Sequence, residues 1–263
     1  MAIGDEIEVR GHVVGFREEI QKAKEKSKDD FFVWFNDAKN ADASFVKGAW
    51  DFSKHIASEA VGYVSEPEKK AVLEIGHGGG RLLLAASRYF QKAYGVDIHE
   101  ENDFVGQELV ARGARNIELL KSTDGRSIPL GNESVDFVYS FIVLQHVEKI
   151  DVFKCYLEDI YRVLKKNGVA ILYFGRHCLL SYNRSSRLLC VLDGTMEPLF
   201  LPKGFKEKKS RVNQVNLIVS SRFASRLCRR LGFRVMKKLI SRRRQERERV
   251  TFGGQKGLVL IKR

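Results

Sequence analysis

An alternation that begins at Ala71 constrains this chain more than any other feature. Strand-like apolar runs occur at 71–75 (A-V-L-E-I), 92–98 (K-A-Y-G-V-D-I), 116–122 (N-I-E-L-L-K-S), 135–141 (V-D-F-V-Y-S-F) and 168–174 (G-V-A-I-L-Y-F). Between them, Arg81 to Gln91, Glu100 to Arg112 and Val152 to Leu164 carry apolar residues at helical spacing. Strands that alternate with helices imply right-handed crossovers, so the expected fold is α/β with a doubly wound, mostly parallel sheet. Past Gly175 the rhythm breaks. Residues 177–217, with Pro198 and Pro202, read as an insertion beside the sheet's carboxyl edge, with Tyr182, Arg184, Arg187 and Phe200 expected to shape a pocket there. Ser221 to Leu231 resumes as a helix stopped by Gly232, a residue suited to the left-handed cap. The runs 233–240 and 257–262 close a seven-stranded sheet.

Residues 1–64 read as an N-terminal helical extension or lid, and 65–263 as the main domain. A charged, helix-compatible run from Glu18 to Asp30 leads into F-F-V-W-F at Phe31 to Phe35, and a second helical pattern surrounds Phe45, Trp50, Phe52 and Ile56. The aromatics are expected to anchor these helices to the main domain.

The first strand ends in E-I-G-H-G-G-G, from Glu74 to Gly80. Glycines at a strand-to-helix turn let backbone approach a ligand that side chains would exclude, at the sheet edge where α/β proteins bind nucleotides. The dinucleotide fingerprint G-x-G-x-x-G fails here, because Arg81 or Leu83 falls at the third glycine depending on where it starts. The actual spacing is E-x-G-x-G-x-G, which asks for a ligand other than NAD.

That motif resembles the first motif of class I S-adenosylmethionine-dependent methyltransferases. Three further signals fall in the family's order: Asp97 ending the second strand, S-T-D-G at Ser122 to Gly125, and V-D-F-V-Y-S-F-I-V-L-Q-H at Val135 to His146. The turn R-V-L-K-K-N-G at Arg162 to Gly168 is also similar, so the resemblance spans roughly residues 70–175. It implies S-adenosylmethionine as cofactor and contacts to it from Glu74, Gly76, Gly78, Gly80, Asp97, Ile98, Asp124, Gly125 and Ser140. Asp97 would take the ribose hydroxyls and Asp124 the adenine amino group. Glu74 would brace the turn or reach the cofactor's ammonium. The phrasing D-G-R-S-I-P-L-G-N-E-S-V-D-F-V-Y-S-F is similar to bacterial enzymes that methylate sugars and other small hydroxylated acceptors.

Transfer to a hydroxyl gains from a base, and His146, just past the fourth strand, is the candidate, with His177 a second. The chain reads Y-S-F-I where base-amine methyltransferases carry N/D-P-P-Y/F, and none of its four cysteines has the context of a C5-methylating nucleophile. Those cysteines, Cys155, Cys178, Cys190 and Cys228, show neither metal spacing nor a disulfide pattern, and no metal is expected.

Charge keeps other partners open. Lys and Arg total 46 against 33 Asp and Glu, and residues 203–249 alone hold 17 against 3, so the excess is local. A basic segment of this kind attracts RNA, anionic lipid or phosphate-bearing substrates. The leading expectation is methyl transfer to oxygen of a small-molecule or glycan acceptor. The alternatives are an RNA methyltransferase using the basic segment, or a non-catalytic methyltransferase-fold binding module. With no leader pattern or membrane-length apolar run, the expected location is cytoplasmic, peripheral at the inner membrane face if the basic segment meets lipid.

Overall fold

The structure, a computed structural model, describes residues 15–208, 210–244 and 250–263. The end of the basic run, residues 245–249, and Lys209 lie outside the described residues, as do residues 1–14 of the N-terminal extension. Helices α1 (Phe16–Lys26) and α2 (Lys28–Trp34) are separate because Ser27 turns extended and caps α2, accepting a hydrogen bond from the Asp30 N–H at 3.0 Å. Helix α3 (Ala41–Asp51) is capped in the same way by Asn40, and runs through a wider π-turn at Phe52–Ala57 into α4 (Ser58–Ala60).

The sheet then builds as β1 (Ala71–Ile75), α5 (Arg81–Ser87), β2 (Lys92–Asp97), α6 (Asn102–Ala111), β3 (Ile117–Lys121), β4 (Val135–Ser140), α7 (Ile150–Val163) and β5 (Leu164–Gly175). These five strands are parallel in the order β3-β2-β1-β4-β5. The insertion contains α8 (Arg187–Phe200) and a small antiparallel ribbon, β6 (Phe205–Glu207) with β7 (Leu217–Val219). Helix α9 (Ser221–Leu231) ends at Gly232 with φ 105°, and β8 (Phe233–Arg244) and β9 (Val250–Lys262) close the sheet. β9 runs antiparallel between β5 and β8. The expected doubly wound, mostly parallel sheet is present, with two short strands added by the insertion.

Two apolar layers, one on each face, hold the sheet. On one face α7 buries Val152, Phe153, Tyr156, Leu157 and Ile160 against Val138, Leu172 and Leu260. On the other, α5 shares a single cluster with the N-terminal helices, whose Phe31, Phe32, Phe45, Phe52 and Ile56 are all at most 5% exposed. Removing that much apolar area from water, at about 25 cal/mol per Å², welds the extension to the sheet. Trp50 is the exception to the expected aromatic anchors: it stands 72% exposed on the outer face of α3. The basic stretch after Ser241 is also not wholly a connection, since Arg242, Arg243 and Arg244 belong to β8. Among the described residues, no helix is long and apolar enough to cross a membrane.

Candidate functional site

The carboxyl ends of β1, β2 and β4 converge on a cavity of about 120 Å³. Glu74, Gly76, Gly78, Asp97, Ile98 and His146 line it, together with Arg81 and Ser122, under a cover of Phe16, Trp34 and Phe35 from α1 and the end of α2. Gly80, Asp124, Gly125 and Ser140 are not on its wall. Gly80 caps α5 at φ 75° against Leu109 and Val105. Ser140 is fully buried, its hydroxyl donating to the Ile75 carbonyl at 3.2 Å, which ties β4 to β1. Asp124 is turned into its own loop, where it accepts from the Arg126 and Ser127 N–H groups, both at 2.9 Å. Burial works against its charge, but these donors prevail and hold its carboxyl near 2. Ser122, from the same S-T-D-G, reaches the cavity wall instead.

Asp97 fixes the glycine turn. Its Oδ2 accepts from the Gly78 N–H at 2.7 Å, and its Oδ1 from the Ile98 N–H at 2.7 Å. Burial opposes ionisation, yet the neighbouring His99 and His77 and the two backbone donors bring the carboxyl below its ordinary value.

Two histidines that sequence reasoning passed over complete this lock. His77 Nδ1 and His99 Nε2 both lie against the Gly78 carbonyl, at 2.9 and 3.0 Å. A carbonyl only accepts, so both nitrogens carry protons directed at it. His99 Nδ1 in turn accepts from the Glu101 N–H at 3.1 Å. Burial takes His77 down to about 4, and its Nε2 lies 3.2 Å from the Asn102 Oδ1. His77, Asp97 and His99 have the proximity of a metal-binding group, but the nitrogens at Gly78 have no lone pair to give. The signal was there: one histidine inside the turn and one just past Asp97, both at the sheet edge.

Glu74 is 3% exposed and accepts from the Tyr139 hydroxyl at 3.0 Å. Burial pushes its carboxyl up to about 8 despite that bond, so it is protonated at neutral pH. Arg81 pairs with Asp51 of α3 at 2.6 Å, joining the N-terminal helices to the first residue of α5.

A second cavity, about 910 Å³, shares Arg81, Phe141, Ile142, His146 and Asn213 with the first, and extends under β8, β9 and the start of the insertion. His177 and Tyr182 line it, whereas Arg184, Arg187 and Phe200 do not. His146 stands where the two cavities meet. Its Nδ1 donates to the Gln214 carbonyl at 2.8 Å and its Nε2 lies 3.1 Å from the Gln145 amide nitrogen. Burial lowers its imidazole below the ordinary value, more than the Gln214 bond raises it.

Residues 73–172 match the family model of the methyltransferase domain. Over 98 residues the chain is 33% identical to the uncharacterized methyltransferase YcgJ of Bacillus subtilis, an alignment covering 37% of each. The crystal structure of YcgJ superposes with a TM-score of 0.53 at 16% identity, over 80% of this chain and 99% of that one. An S-adenosylmethionine-dependent methyltransferase from Aquifex aeolicus gives 0.52 at 17%, over 80% and 92%. One from Methanosarcina mazei gives 0.54 at 16%, over 78% and 96%. Matched segment, sheet order and the cavity at the glycine turn together make this part of the chain similar to the methyltransferase domain of S-adenosylmethionine-dependent enzymes. A methyltransferase domain of this kind implies S-adenosylmethionine as the cofactor.

Proposed function

We propose that this chain transfers a methyl group to an oxygen of a small hydroxylated or glycan acceptor. The observation that carries the reading is the state of His146 at the junction of the two cavities. With Nδ1–H spent on Gln214 and the imidazole uncharged at neutral pH, its Nε2 keeps a lone pair. The Gln145 amide that meets Nε2 is a neutral donor, which an acceptor hydroxyl can replace. General-base help of this kind contributes typically ~10²–10⁴-fold.

The cofactor would occupy the narrower cavity, where donors and acceptors are already in place. Asp97 would take the ribose hydroxyls, since each of its oxygens has met only one N–H and keeps a further lone pair. Glu74 would lose its proton beside the cofactor's ammonium, and Arg81 would supply positive charge for its carboxylate. Phe16, Trp34 and Phe35 would exclude water from the covered site. The cofactor brings an activated methyl on a sulfonium. The chain's own contribution is alignment, which supplies roughly 7–11 kcal/mol in well-oriented cases.

The test is His146→Ala. It should bind S-adenosylmethionine as the parent does, by calorimetry, while label transfer into the acceptor fraction of a cell extract falls by ~10²-fold or more. Unchanged transfer would remove His146 from the chemistry and, with it, the preference for oxygen.

A further inference from the structure

The wall of the larger cavity is strongly basic. Seven Lys and Arg line it against two Asp, and one of those acids, Asp51, is already paired with Arg81. Among the described residues, no carboxylate lies within ion-pair distance of Arg176, Lys208, Arg242 or Arg243.

Arg176 is the most telling of these. It is 3% exposed, just past the end of β5, and among the described residues its guanidinium touches only neutral groups: the Gly253 carbonyl at 3.1 Å, the Ser181 hydroxyl at 2.9 Å and the Cys190 sulfur at 3.6 Å. Three of its five N–H groups are thereby engaged, the third by a weak acceptor, and two remain. Its acid neighbour, the buried Asp193, is reached only through the Ser181 hydroxyl, which donates to it at 2.5 Å; a buried cation without a direct counter-charge carries a desolvation cost of several kcal/mol, which a bound anion would offset. Two further buried nitrogens on the same cavity, Gln255 Nε2 and His177 Nε2, have no hydrogen-bond partner among the described residues. Gln255 is 5% exposed, so water does not satisfy it from bulk solvent.

Cations without a direct acid partner and an unmet amide donor lining one cavity describe a site for an anion with several oxygens. We propose that the acceptor of this methyltransferase carries a phosphate or diphosphate group, which seats on Arg176 and Gln255 with Lys208, Arg242 and Arg243 around it. A single carboxylate would leave most of that positive charge uncompensated. Arginine's planar fork matches phosphate oxygens bidentately. The phosphate end thereby fixes the acceptor, leaving its hydroxyl to reach the neck of the cavity at His146. The reading rests on this second cavity being the acceptor site, and it narrows the acceptor to phosphorylated compounds, free or lipid-linked.

The experiment is calorimetric titration of the whole chain with inorganic pyrophosphate, and separately with S-adenosylmethionine. Pyrophosphate should bind one-to-one, more weakly as salt rises, and at least about tenfold more weakly to Arg176→Gln, as expected for a charge-assisted contact. Because Arg176 is buried, Lys208→Gln/Arg243→Gln provides a surface counterpart with the same expected direction. All variants should bind S-adenosylmethionine like the parent, which shows that they are folded. Vesicles containing phosphatidic acid form the second arm. Capture by them that is lost in the same variants assigns a lipid-linked phosphate, and pyrophosphate binding without capture assigns a soluble one. No pyrophosphate binding at millimolar concentration, binding equal in parent and variants, or binding of an RNA oligonucleotide in its place would each overturn the proposal. If pyrophosphate binds and S-adenosylmethionine does not, the methyltransferase reading fails while the anion site stands.

Discussion

Gly76 is the first glycine of the turn, and replacing it by alanine should show how tightly that turn is held. Two separate costs are readable. Gly76 has φ +75°, a region where a side chain costs roughly 1–2 kcal/mol. Its new Cβ would also lie 2.2 Å from Val143 Cγ2, 2.6 Å from Cγ1 and 2.9 Å from Cβ. Overpacking of that kind costs typically ~1–3 kcal/mol. Val143 has little room to retreat, because Ile142 before it already sits at φ 68°, strained for a β-branched residue. The sum is about 2–5 kcal/mol, and at about 2–4 °C per kcal/mol the melting temperature should fall by roughly 4–20 °C. Gly113→Ala is the internal control: φ +89° with nothing within 4 Å of the added carbon, so only the backbone cost applies. Urea and thermal unfolding of both, and of Gly76→Ala combined with Val143→Ala, separate the two contributions. The combined variant should recover most of the packing cost, since alanine at 143 removes the two carbons at 2.2 and 2.6 Å and keeps only the Cβ at 2.9 Å, so its added cost over Val143→Ala alone should approach that of Gly113→Ala in the parent chain. If Gly76→Ala is no worse than Gly113→Ala, the segment after β4 does not rest on the turn, and the positions of Val143 and His146 over the cavity are wrong.

Two further outcomes follow from buried contacts. Burial lowers His55 to about 4, outweighing Asp51, so the unfolded chain takes up a proton below about pH 6.5 that the folded one refuses until about pH 4. Stability contributed by this group is complete above 6.5 and lost as pH falls toward 4, about 2 kcal/mol between pH 7 and 5; His55→Gln should flatten the urea midpoint over that window, and an unchanged slope would show the imidazole is not buried. Gly48→Ala places a carbon 2.4 Å from the Arg81 carbonyl oxygen, where α3 lies on α5; it should cost ~1–3 kcal/mol and speed proteolysis within the N-terminal helices, and parent-like resistance would contradict their seating on the glycine turn.

The sheet was legible because buried parallel strands are continuous apolar runs punctuated by glycine. β1 begins and ends where A-V-L-E-I does, and Gly232 stops α9 with the positive φ expected of it. Helix α8 was hidden, since Gly194 and Pro198 are poor helix residues, yet Ser186 caps its start and Pro198 falls only in its last turn, where little helix remains to be broken. The strands β6 and β7 are three residues each and carry no periodicity to read. Of the site, Asp97, Glu74 and the first two glycines could be placed from their positions at strand ends. The N-terminal residues read as a helical extension or lid, but those that cover the cavity could not be singled out: Phe16, Trp34 and Phe35 arrive from at least 39 residues earlier in the chain, through packing that no local pattern records. The same holds for Arg176, whose lack of an acid partner only the folded chain reveals.

The most direct test of the whole account is calorimetric titration of S-adenosylmethionine into the parent chain and into Asp97→Ala, in two buffers of different ionisation enthalpy. The account predicts one-to-one binding to the parent, severe weakening in the variant, and proton release near neutral pH as Glu74, held near 8 by burial, gives up its proton beside the cofactor's ammonium. No binding to the parent at millimolar cofactor, or equal binding to Asp97→Ala, would contradict it.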